Sequence, residues 1–347
     1  MKPSVPGRLH AQGVAAPRFD TAAEVVRHLG CVQSQLHDMA LWSVARRTRT
    51  ATLVDVQEAF DRGDFLRTHI LRPTWHFVDP DDIHWMLSLT APRIRRLIAA
   101  SAQAAGSFDL LERSAEVIAQ TVADGADHTR AELGAALADA GLPSTGQPLG
   151  DLVMNAEISA LVVNGSVRGK QQTYRALPPR ATTETRDELL ARIARRYATG
   201  HGPYRDKDLA WWTGLTLTDS RRAITLGELR PLDVDHVTYW TLDDPVDVEI
   251  PAVTLLSNFD EYISYARDEA DYTDLVGSRD LLMRRSGLLL LDGRLAGAWG
   301  RSVTASTVEI TVEASRPLTP RARRALTAEA DRFGTFMARE PVLLVTN

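Results

Sequence analysis

Two glutamines near the N-terminus, Gln33 and Gln35, are the residues whose type and spacing could do chemistry. An amide side chain offers an accepting oxygen and a donating NH2, so two of them facing one ligand can position water at no net charge. Residues two apart share a face in an extended segment, whereas on a helix they point to nearly opposite sides. The pair therefore predicts a break in the helix-like sequence, and Gly30 is suited to make it. In the alternative, both glutamines are half-solvated residues at a helix junction.

Residues with capping and hydrogen-bonding side chains lie close to this pair. Ser34 or Asp38 could cap a helix over Met39 to Ala45. We expect Asp38 to act as a cap, with assistance to the glutamines from the first helical turn as the alternative. Arg72 and His76, four residues apart, either lie beside the glutamines or form a structural hydrogen-bonded pair.

The elements around the glutamines form a first unit over residues 1–112. Residues 20–47 are predicted to form a broken helix, and 53–62 carry apolar residues at helical spacing before Gly63. Two short strands follow within residues 65–78, and acidic residues then begin the next helix. This order of helices and a short β unit predicts a small winged-helix-like module.

A second unit, residues 113–185, repeats that order. Thr129 and Glu132 form a capping box that begins a helix, and residues 161–177 alternate well enough to predict a β-hairpin with glycine-rich turns. Three helices followed by a hairpin are typical of a winged helix.

The third unit, residues 186–347, begins with a helix-turn-helix pattern and has the longest β section. Strands are predicted over Arg284 to Val312, with one turn at Asp292-Gly293 and another around Gly297 to Arg301. A helix over 320–338 is predicted to close the chain. The three units together predict an α+β, mostly helical protein built from tandem winged-helix modules.

Composition limits the class of protein. Hydrophobic content of 44% and charged content of 24% over 347 residues are typical of a globular protein with two or three domains. A formal charge of −5 argues against a wholly basic nucleic-acid coat but permits a local basic groove. No apolar run approaches the ~20 residues of a membrane span, and the N-terminus has no signal-peptide core. We therefore expect a cytoplasmic protein.

The sequence predicts neither a metal site nor a cofactor. The single cysteine, Cys31, excludes an internal disulfide and a cysteine-based metal site. No HExxH, P-loop or GxGxxG motif occurs.

Five stretches of the chain together resemble one family. They are Gln33-Ser34-Gln35, Arg72-Pro73-Thr74-Trp75-His76, His201-Gly202-Pro203 with Trp211-Trp212, Asn258-Phe259-Asp260-Glu261-Tyr262 and Gly293-Arg294-Leu295-Ala296-Gly297-Ala298-Trp299. In this order, and over nearly the whole chain, they are similar to the AlkZ-type bacterial winged-helix DNA glycosylases, whose relatives include azinomycin-resistance proteins.

The resemblance implies a monomer whose three modules form a C-shaped clamp around double-stranded DNA, with the glutamine motif on the concave face. It also implies a nucleoid-associated protein. Gln33 and Gln35 match the family's functional positions, and the second glutamine points to the subgroup associated with bulky natural-product adducts and self-resistance. Ser34 stands where the family has a hydrophobic residue. Because the middle residue of an extended triplet faces away from the ligand, we expect Ser34 to affect packing behind the motif. Asp260 and Glu261 look like part of a structural signature of the third module.

The implied reaction is hydrolysis of the N-glycosidic bond of an alkylated purine. A purine alkylated at N7 or N3 is already cationic, so it leaves as a neutral base without prior protonation. The enzyme must then place a water and stabilise an oxocarbenium-like sugar, and two neutral glutamines can share these tasks. The region around the motif has no lysine for a Schiff base, which favours a monofunctional glycosylase over a lyase.

Candidate DNA contacts are the tip of the second hairpin and two arginines that end a helix. The tip carries four hydrogen-bonding side chains, Arg168, Lys170, Gln171 and Gln172. Their donors suit phosphates or a minor groove, and a solvated hairpin is the alternative. Arg46 and Arg47 are predicted to bind DNA, although charge at a helix end also complements the helix dipole.

Two other functions fit the same sequence. In one, the chain is a non-catalytic winged-helix DNA-binding protein or regulator whose glutamines are structural. In the other, it is a protein-interaction module, which its acidic net charge permits. Salt-dependent DNA binding would distinguish the glycosylase and the non-catalytic DNA-binding protein from the protein-interaction module. Release of N7-methylguanine would distinguish the glycosylase from the non-catalytic DNA-binding protein.

Overall fold

The computed structural model describes residues 4–104, 106, 108–244, 246, 248–265 and 286–346. Helices account for more of these residues than strands, and the described strands form four sheets. The mixed α+β class that the sequence predicts is therefore confirmed. Of the helices in these ranges, none is long and apolar enough to cross a membrane.

The first part of the chain carries five helices and a three-stranded sheet. The helices are α1 (Ser4–Ala11), α2 (Ala22–Leu29), α3 (His37–Ala45), α4 (Leu53–Arg62) and α5 (Ile83–Ala104). The strands are β1 (Cys31–Gln33), β2 (Leu66–His69) and β3 (Trp75–Val78), and β3 pairs antiparallel with both others. The strand β1 is thus at one edge of its sheet.

Local sequence explains where these helices begin and end. The hydroxyls of Thr21 and Thr52 accept backbone N–H bonds at the starts of α2 and α4, and both helices have complete capping boxes. Gly30 follows α2 with φ of 79° and Gly63 follows α4 with φ of 83°, a region that glycine reaches without a Cβ penalty. The predicted break at Gly30 is confirmed, because β1 begins at the next residue.

The second part of the chain has three helices and a small sheet. The helices are α6 (Leu111–Thr121), α7 (Arg130–Asp139) and α8 (Gly146–Ile158). The strands are β4 (His128–Thr129), β5 (Val162–Asn164) and β6 (Thr173–Ala176), with β6 in the centre. The capping box predicted for Thr129 and Glu132 is present at the start of α7.

The third part contains the largest sheet. Its helices are α9 (Arg186–His201), α10 (Asp206–Thr213), α11 (Leu217–Leu226) and α12 (Pro320–Met337). Its strands are β7 (Arg230–Val234), β8 (Val237–Thr241), β9 (Val253–Leu256), β10 (Gly287–Leu291), β11 (Arg294–Val303), β12 (Thr307–Ala314) and β13 (Glu340–Thr346). Strands β9 to β13 form one five-stranded sheet in the order β13-β12-β11-β10-β9, and β7 pairs with β8.

Two details of this β section differ from the prediction. The turn at Asp292-Gly293 is confirmed, but Gly297 to Arg301 lies inside β11 instead of forming a turn. A Cβ on Gly297 would stand 2.1 Å from the Glu313 carbonyl oxygen, so glycine is needed there because β12 approaches closely. The chain also continues beyond α12 into β13, which pairs parallel with β12. The predicted start at Arg284 lies outside the described residues.

The large sheet and α12 pack against the helices of the first part. Trp42 on α3 is fully buried and meets Phe333 of α12 edge to face, with ring centroids 5.0 Å apart. Its indole N–H donates to the carbonyl of Leu255 on β9 at 3.0 Å. The helix that follows the glutamine motif is therefore fixed to the third part of the chain.

Candidate active site

The glutamine motif lies at the end of the edge strand β1. Gln33 is paired with His76 on β3, and the Ser34 N–H donates to the Trp75 carbonyl at 2.8 Å. Gln33 and Gln35 are half-exposed, whereas Ser34 between them is fully buried. This alternation is that of an extended segment, so the geometry expected for the two glutamines is present.

Neither predicted cap precedes α3. The capping position is occupied by Leu36, which makes no side-chain cap bond. Ser34 belongs to the extended segment, and Asp38 is already the second residue of the helix, where its exposed carboxylate lies close to the helix N-terminus. The capping role expected for Asp38 is therefore wrong.

Buried charged side chains hold the backbone of the motif. The Gln33 N–H donates to Glu261 Oε1 at 2.8 Å, and this bond satisfies the outer edge of β1. The Ser34 carbonyl accepts two bonds from Arg67, from Nε at 3.1 Å and from Nη2 at 2.9 Å. The Gln35 amide oxygen accepts the Trp75 N–H at 3.4 Å.

Glu261 is fully buried within a cluster of neutral donors. His201 Nε2 and Trp212 Nε1 donate to its Oε2 at 3.0 and 3.2 Å. Burial by itself would raise the pKa of Glu261. The hydrogen bond that Glu261 accepts from His201 and the electrostatic interaction of the two side chains lower that pKa below the usual value. Burial lowers the pKa of His201, which fits a neutral ring that donates through Nε2. Glu261 is therefore an ionised carboxylate directly behind Gln33.

A similar cluster lies behind Gln35. The fully buried Glu157 of α8 accepts bonds from His69 Nδ1 at 2.5 Å and from Trp75 Nε1 at 3.1 Å. The Arg67 guanidinium stacks 4.7 Å from the Trp75 ring centre and donates to Asn164 Oδ1 at 2.5 Å. Burial lowers the pKa of Arg67 to about 10, so the side chain stays cationic at neutral pH.

Arg72 and His76 do lie beside the motif. His76 is opposite Gln33 in the sheet, and burial lowers its pKa to about 3, so the ring is neutral near pH 7. His76 Nδ1 contacts the Thr74 carbonyl oxygen at 2.9 Å. Arg72 donates to the Trp212 carbonyl at 2.8 Å and stacks 4.2 Å from the Trp211 ring centre. Both residues thus support the elements that surround Gln33.

A cleft of about 860 Å³ opens beside Gln35. Four of the predicted site residues line it together with Gln35: Asp38, Lys170, Gln171 and Gln172. Three further cations, Arg67, Arg130 and Arg301, line the same cleft and were not predicted. Gln33 is not among the lining residues. The cleft therefore carries four cationic side chains and one carboxylate next to one of the two glutamines.

A second cleft of about 850 Å³ adjoins the first. The two share His37, Asp38, Lys170, Gln172 and Arg301. The rest of the second cleft includes the polar side chains of Gln57, Glu58 and Asp61 and apolar side chains such as Leu41, Val54, Val167, Val303, Phe333 and Met337. The tip of the β5–β6 hairpin thus lies between the two clefts.

The sequence signature described as "DNA glycosylase AlkZ-like" matches residues 26–336. The chain belongs to the AlkZ-like DNA glycosylase family. The resemblance drawn from the five motifs is thereby confirmed, and the membership supports a DNA glycosylase function. The structure is similar to that of Streptomyces sahachiroi DNA glycosylase AlkZ, with a TM-score of 0.76, 20% sequence identity and 100% coverage of both chains, which shows a shared fold. Among proteins of curated function, none matches this sequence significantly.

In this AlkZ-like chain, Arg46 and Arg47 are not DNA contacts. Both are buried, with 2% and 0% of their surface exposed. Arg47 forms an ion pair with Asp260 at 2.7 Å, and Arg46 forms one with Glu329 at 3.3 Å. The prediction was wrong because these guanidiniums turn inward and join the first part of the chain to the third. Asp260, by contrast, has the structural role that was expected for it.

Other predicted residues of this AlkZ-like chain have partners of their own. Arg168 is exposed but forms an ion pair with Glu132 and donates to the Asp127 carbonyl. Cys31 is fully buried beside Met86, and burial raises its pKa well above the usual value, so its thiol is not a nucleophile at neutral pH. Within the described ranges, no group of three or more His, Cys, Asp or Glu side chains could hold a metal ion.

Proposed function

We propose that this chain is a monofunctional DNA glycosylase that hydrolyses the N-glycosidic bond of alkylated purines, above all N7-alkylguanine, in double-stranded DNA. The observation that carries the proposal is the extended Gln33-Ser34-Gln35 segment at the rim of a cationic cleft. In the reaction, water oxygen bonds to C1′ while the N-glycosidic electron pair leaves with the base. The cationic base becomes neutral, and the water loses a proton.

Two neutral amides suit a substrate that is already cationic. An amide oxygen can accept a hydrogen bond from the attacking water and direct partial negative charge towards the sugar. A general acid for the leaving base is not needed, because the alkyl group has already supplied the positive charge. The fixed backbone of the motif favours this role, since positioning a water requires side chains that start from a rigid base.

We propose that three winged-helix modules, residues 1–112, 113–185 and 186–347, form a clamp around the DNA as a monomer. The separate sheets of each range support this division, α6 (Leu111–Thr121) runs across the boundary after residue 112, and the β5–β6 hairpin would be the wing of the second module. Lys170, Gln171 and Gln172 on its tip line the cleft with Gln35 and would contact phosphate or base edges. The adjoining cleft of about 850 Å³ favours an adduct larger than a methyl group, such as a bulky natural product.

Lys170 is the lysine that could form a Schiff base if the protein were a lyase. No lysine lies near the motif in sequence, but Lys170 lines the same cleft as Gln35. Its side chain is exposed, whereas a Schiff-base lysine is activated by desolvation or by a neighbouring cation. That exposure supports a monofunctional enzyme. Borohydride should therefore trap no covalent complex between the protein and abasic DNA. If the unaltered protein is trapped and Lys170→Ala is not, this part of the proposal is overturned.

The central experiment measures single-turnover release of N7-methylguanine from duplex DNA, followed by alkaline cleavage of the abasic product. Gln33→Ala and Gln35→Ala should each lower the rate by roughly 10²-fold or more if water placement is lost. Gln120→Ala on the exposed face of α6 is the matched control and should leave the rate unchanged. Full activity in both motif variants would refute the assignment. DNA with a bulky N7 adduct should be tested in parallel.

A non-catalytic DNA-binding protein is the alternative, and the bond between Gln35 and Trp75 favours it. In that case the Gln35 amide would serve to fix β3 against the motif. Salt-dependent binding of duplex DNA without release of methylated or bulky bases would establish this alternative.

A further inference from the structure

The proposed site lacks a carboxylate at the motif itself, although the sugar acquires positive charge as the glycosidic bond breaks. Two buried glutamates lie behind the motif instead, Glu261 beside Gln33 and Glu157 beside Trp75. Each accepts hydrogen bonds from one histidine and one tryptophan indole, so the two clusters have the same donors. They differ in what else surrounds the carboxylate.

Glu261 receives its described hydrogen bonds from neutral groups alone. The donors are the Gln33 backbone, the His201 ring and the Trp212 indole. Three hydrogen bonds to a carboxylate favour its charged form, and they keep that charge in a site with no exposure to water. Arg72 is the cation whose charge acts on it in addition. A buried anion is therefore in direct contact with the peptide group that carries one proposed catalytic side chain.

Glu157 is a different case. The cation Arg67 acts on it electrostatically and lies on the same side as the motif, stacked on the Trp75 ring and bonded to the Ser34 carbonyl. Each glutamate therefore has one arginine acting on it, Arg72 in the case of Glu261 and Arg67 in the case of Glu157. Glu157 also makes no described bond to the backbone of the motif.

We propose that Glu261 is a positioning residue that also supplies negative charge to the active site from behind Gln33, so that developing positive charge on the deoxyribose is stabilised there. The inference rests on the proposed glycosylase function. The carboxylate fixes the Gln33 backbone through one hydrogen bond and acts on the sugar through space. For a separation on the order of 9 Å and an effective dielectric constant of about 20, one unit charge changes the affinity for a cation by about 20-fold.

The test compares duplex DNA carrying a cationic pyrrolidine abasic analogue with duplex DNA carrying a neutral tetrahydrofuran abasic analogue. The measured quantity is the ratio of the two dissociation constants, which a purely structural role would not change. The full-length protein should bind the cation more tightly. Glu261→Gln should reduce this preference by about 20-fold, whereas Glu116→Gln, on the exposed face of α6, should retain it.

Glu261→Gln places an amide NH2 against one of three donors and could unfold the protein. A second pair of variants avoids this. In Trp212→Phe the indole donor is absent, so a glutamine at position 261 can accept from Gln33 and donate to neutral His201. Trp212→Phe should keep the preference for the cation, and Trp212→Phe with Glu261→Gln should lose it. An unchanged ratio in both Glu261→Gln proteins would overturn the proposal.

The outcomes separate this inference from the proposed function. If base release depends on Gln33 and Gln35 but the charge preference survives Glu261→Gln, only the role of Glu261 fails. If the unaltered protein neither releases N7-methylguanine or a bulky adduct nor prefers the cationic analogue, both fail.

Discussion

Replacing Arg47 with methionine should destabilise the fold and leave the DNA interface intact. The guanidinium is fully buried and donates to both carboxylate oxygens of Asp260, at 2.7 and 3.1 Å, and to Gln12 and Ser43. Methionine fills similar space but leaves the Asp260 carboxylate buried without its cation. Breaking a buried ion pair in this way costs about 3–5 kcal/mol, a large share of the ~5–15 kcal/mol by which native proteins are stable.

The effect of Arg47→Met should depend on pH. Burial by itself would raise the pKa of Asp260, but the charge and hydrogen bonds of Arg47 lower it below the usual value. The pair therefore stabilises the native protein at pH values above about 3.9, the pKa of aspartate in the unfolded chain. This stabilisation is lost as the pH falls through the lower pKa that Asp260 has in the folded protein. In the variant, burial acts without the cation and raises the pKa of Asp260, so the penalty is greatest at neutral pH and shrinks as the pH falls.

Urea unfolding at pH 7 and pH 5 measures both effects. Arg49→Met is the matched control, because Arg49 is 54% exposed and its pair with Asp20 should contribute less than about 1 kcal/mol. Adding Asp260→Leu to Arg47→Met should recover part of the loss, since no buried charge remains unpaired. DNA binding of the folded variant should keep the salt slope of the unaltered protein. A loss below about 1 kcal/mol, or a slope reduced by about one unit, would refute the reasoning.

Two further variants test the motif and the cleft. Ser34→Ala removes a buried hydroxyl that has no hydrogen-bond partner in the described part of the chain. Thermal and urea unfolding should therefore show a free energy of unfolding higher by about 1 kcal/mol, with the rate of base release unchanged. A lower free energy of unfolding would contradict the buried orientation of Ser34. Lys170→Ala should weaken binding to all duplex sequences and reduce the salt slope by about one unit, whereas Lys207→Ala, outside the cleft, should not. Equal slopes for Lys170→Ala and the unaltered protein would remove Lys170 from the interface.

Features that depend on neighbouring residues were predictable from the sequence. The break at Gly30 and the capping box of Thr129 and Glu132 follow from backbone freedom and from side chains three residues apart. The extended form of the glutamine motif followed from the two-residue spacing together with Gly30. Each of these inferences needs no knowledge of which distant segment packs nearby.

Features that depend on distant partners were not predictable in this way. Arg47 follows a helix as a DNA-binding arginine would, but its partner Asp260 lies 213 residues further along the chain. Lys170 is far from the motif in sequence, yet the β5–β6 hairpin brings it into the cleft of Gln35. Gly297 suggests a turn in the sequence, and its role in the close approach of β12 is visible only once β12 is in place.

The motif itself shows why local and distant effects must act together. A three-residue edge strand such as β1 has little stability of its own. Its outer N–H is satisfied by Glu261 from the third part of the chain, and its Ser34 carbonyl is bound by Arg67, which is anchored on Asn164 of the second part. The two glutamines can remain half-exposed and available to a ligand because other buried side chains hold the backbone beneath them. The geometry of the motif therefore requires that all three parts of the chain are docked. If the motif is the proposed active site, a variant that loosens either junction should lower base release before it unfolds the protein.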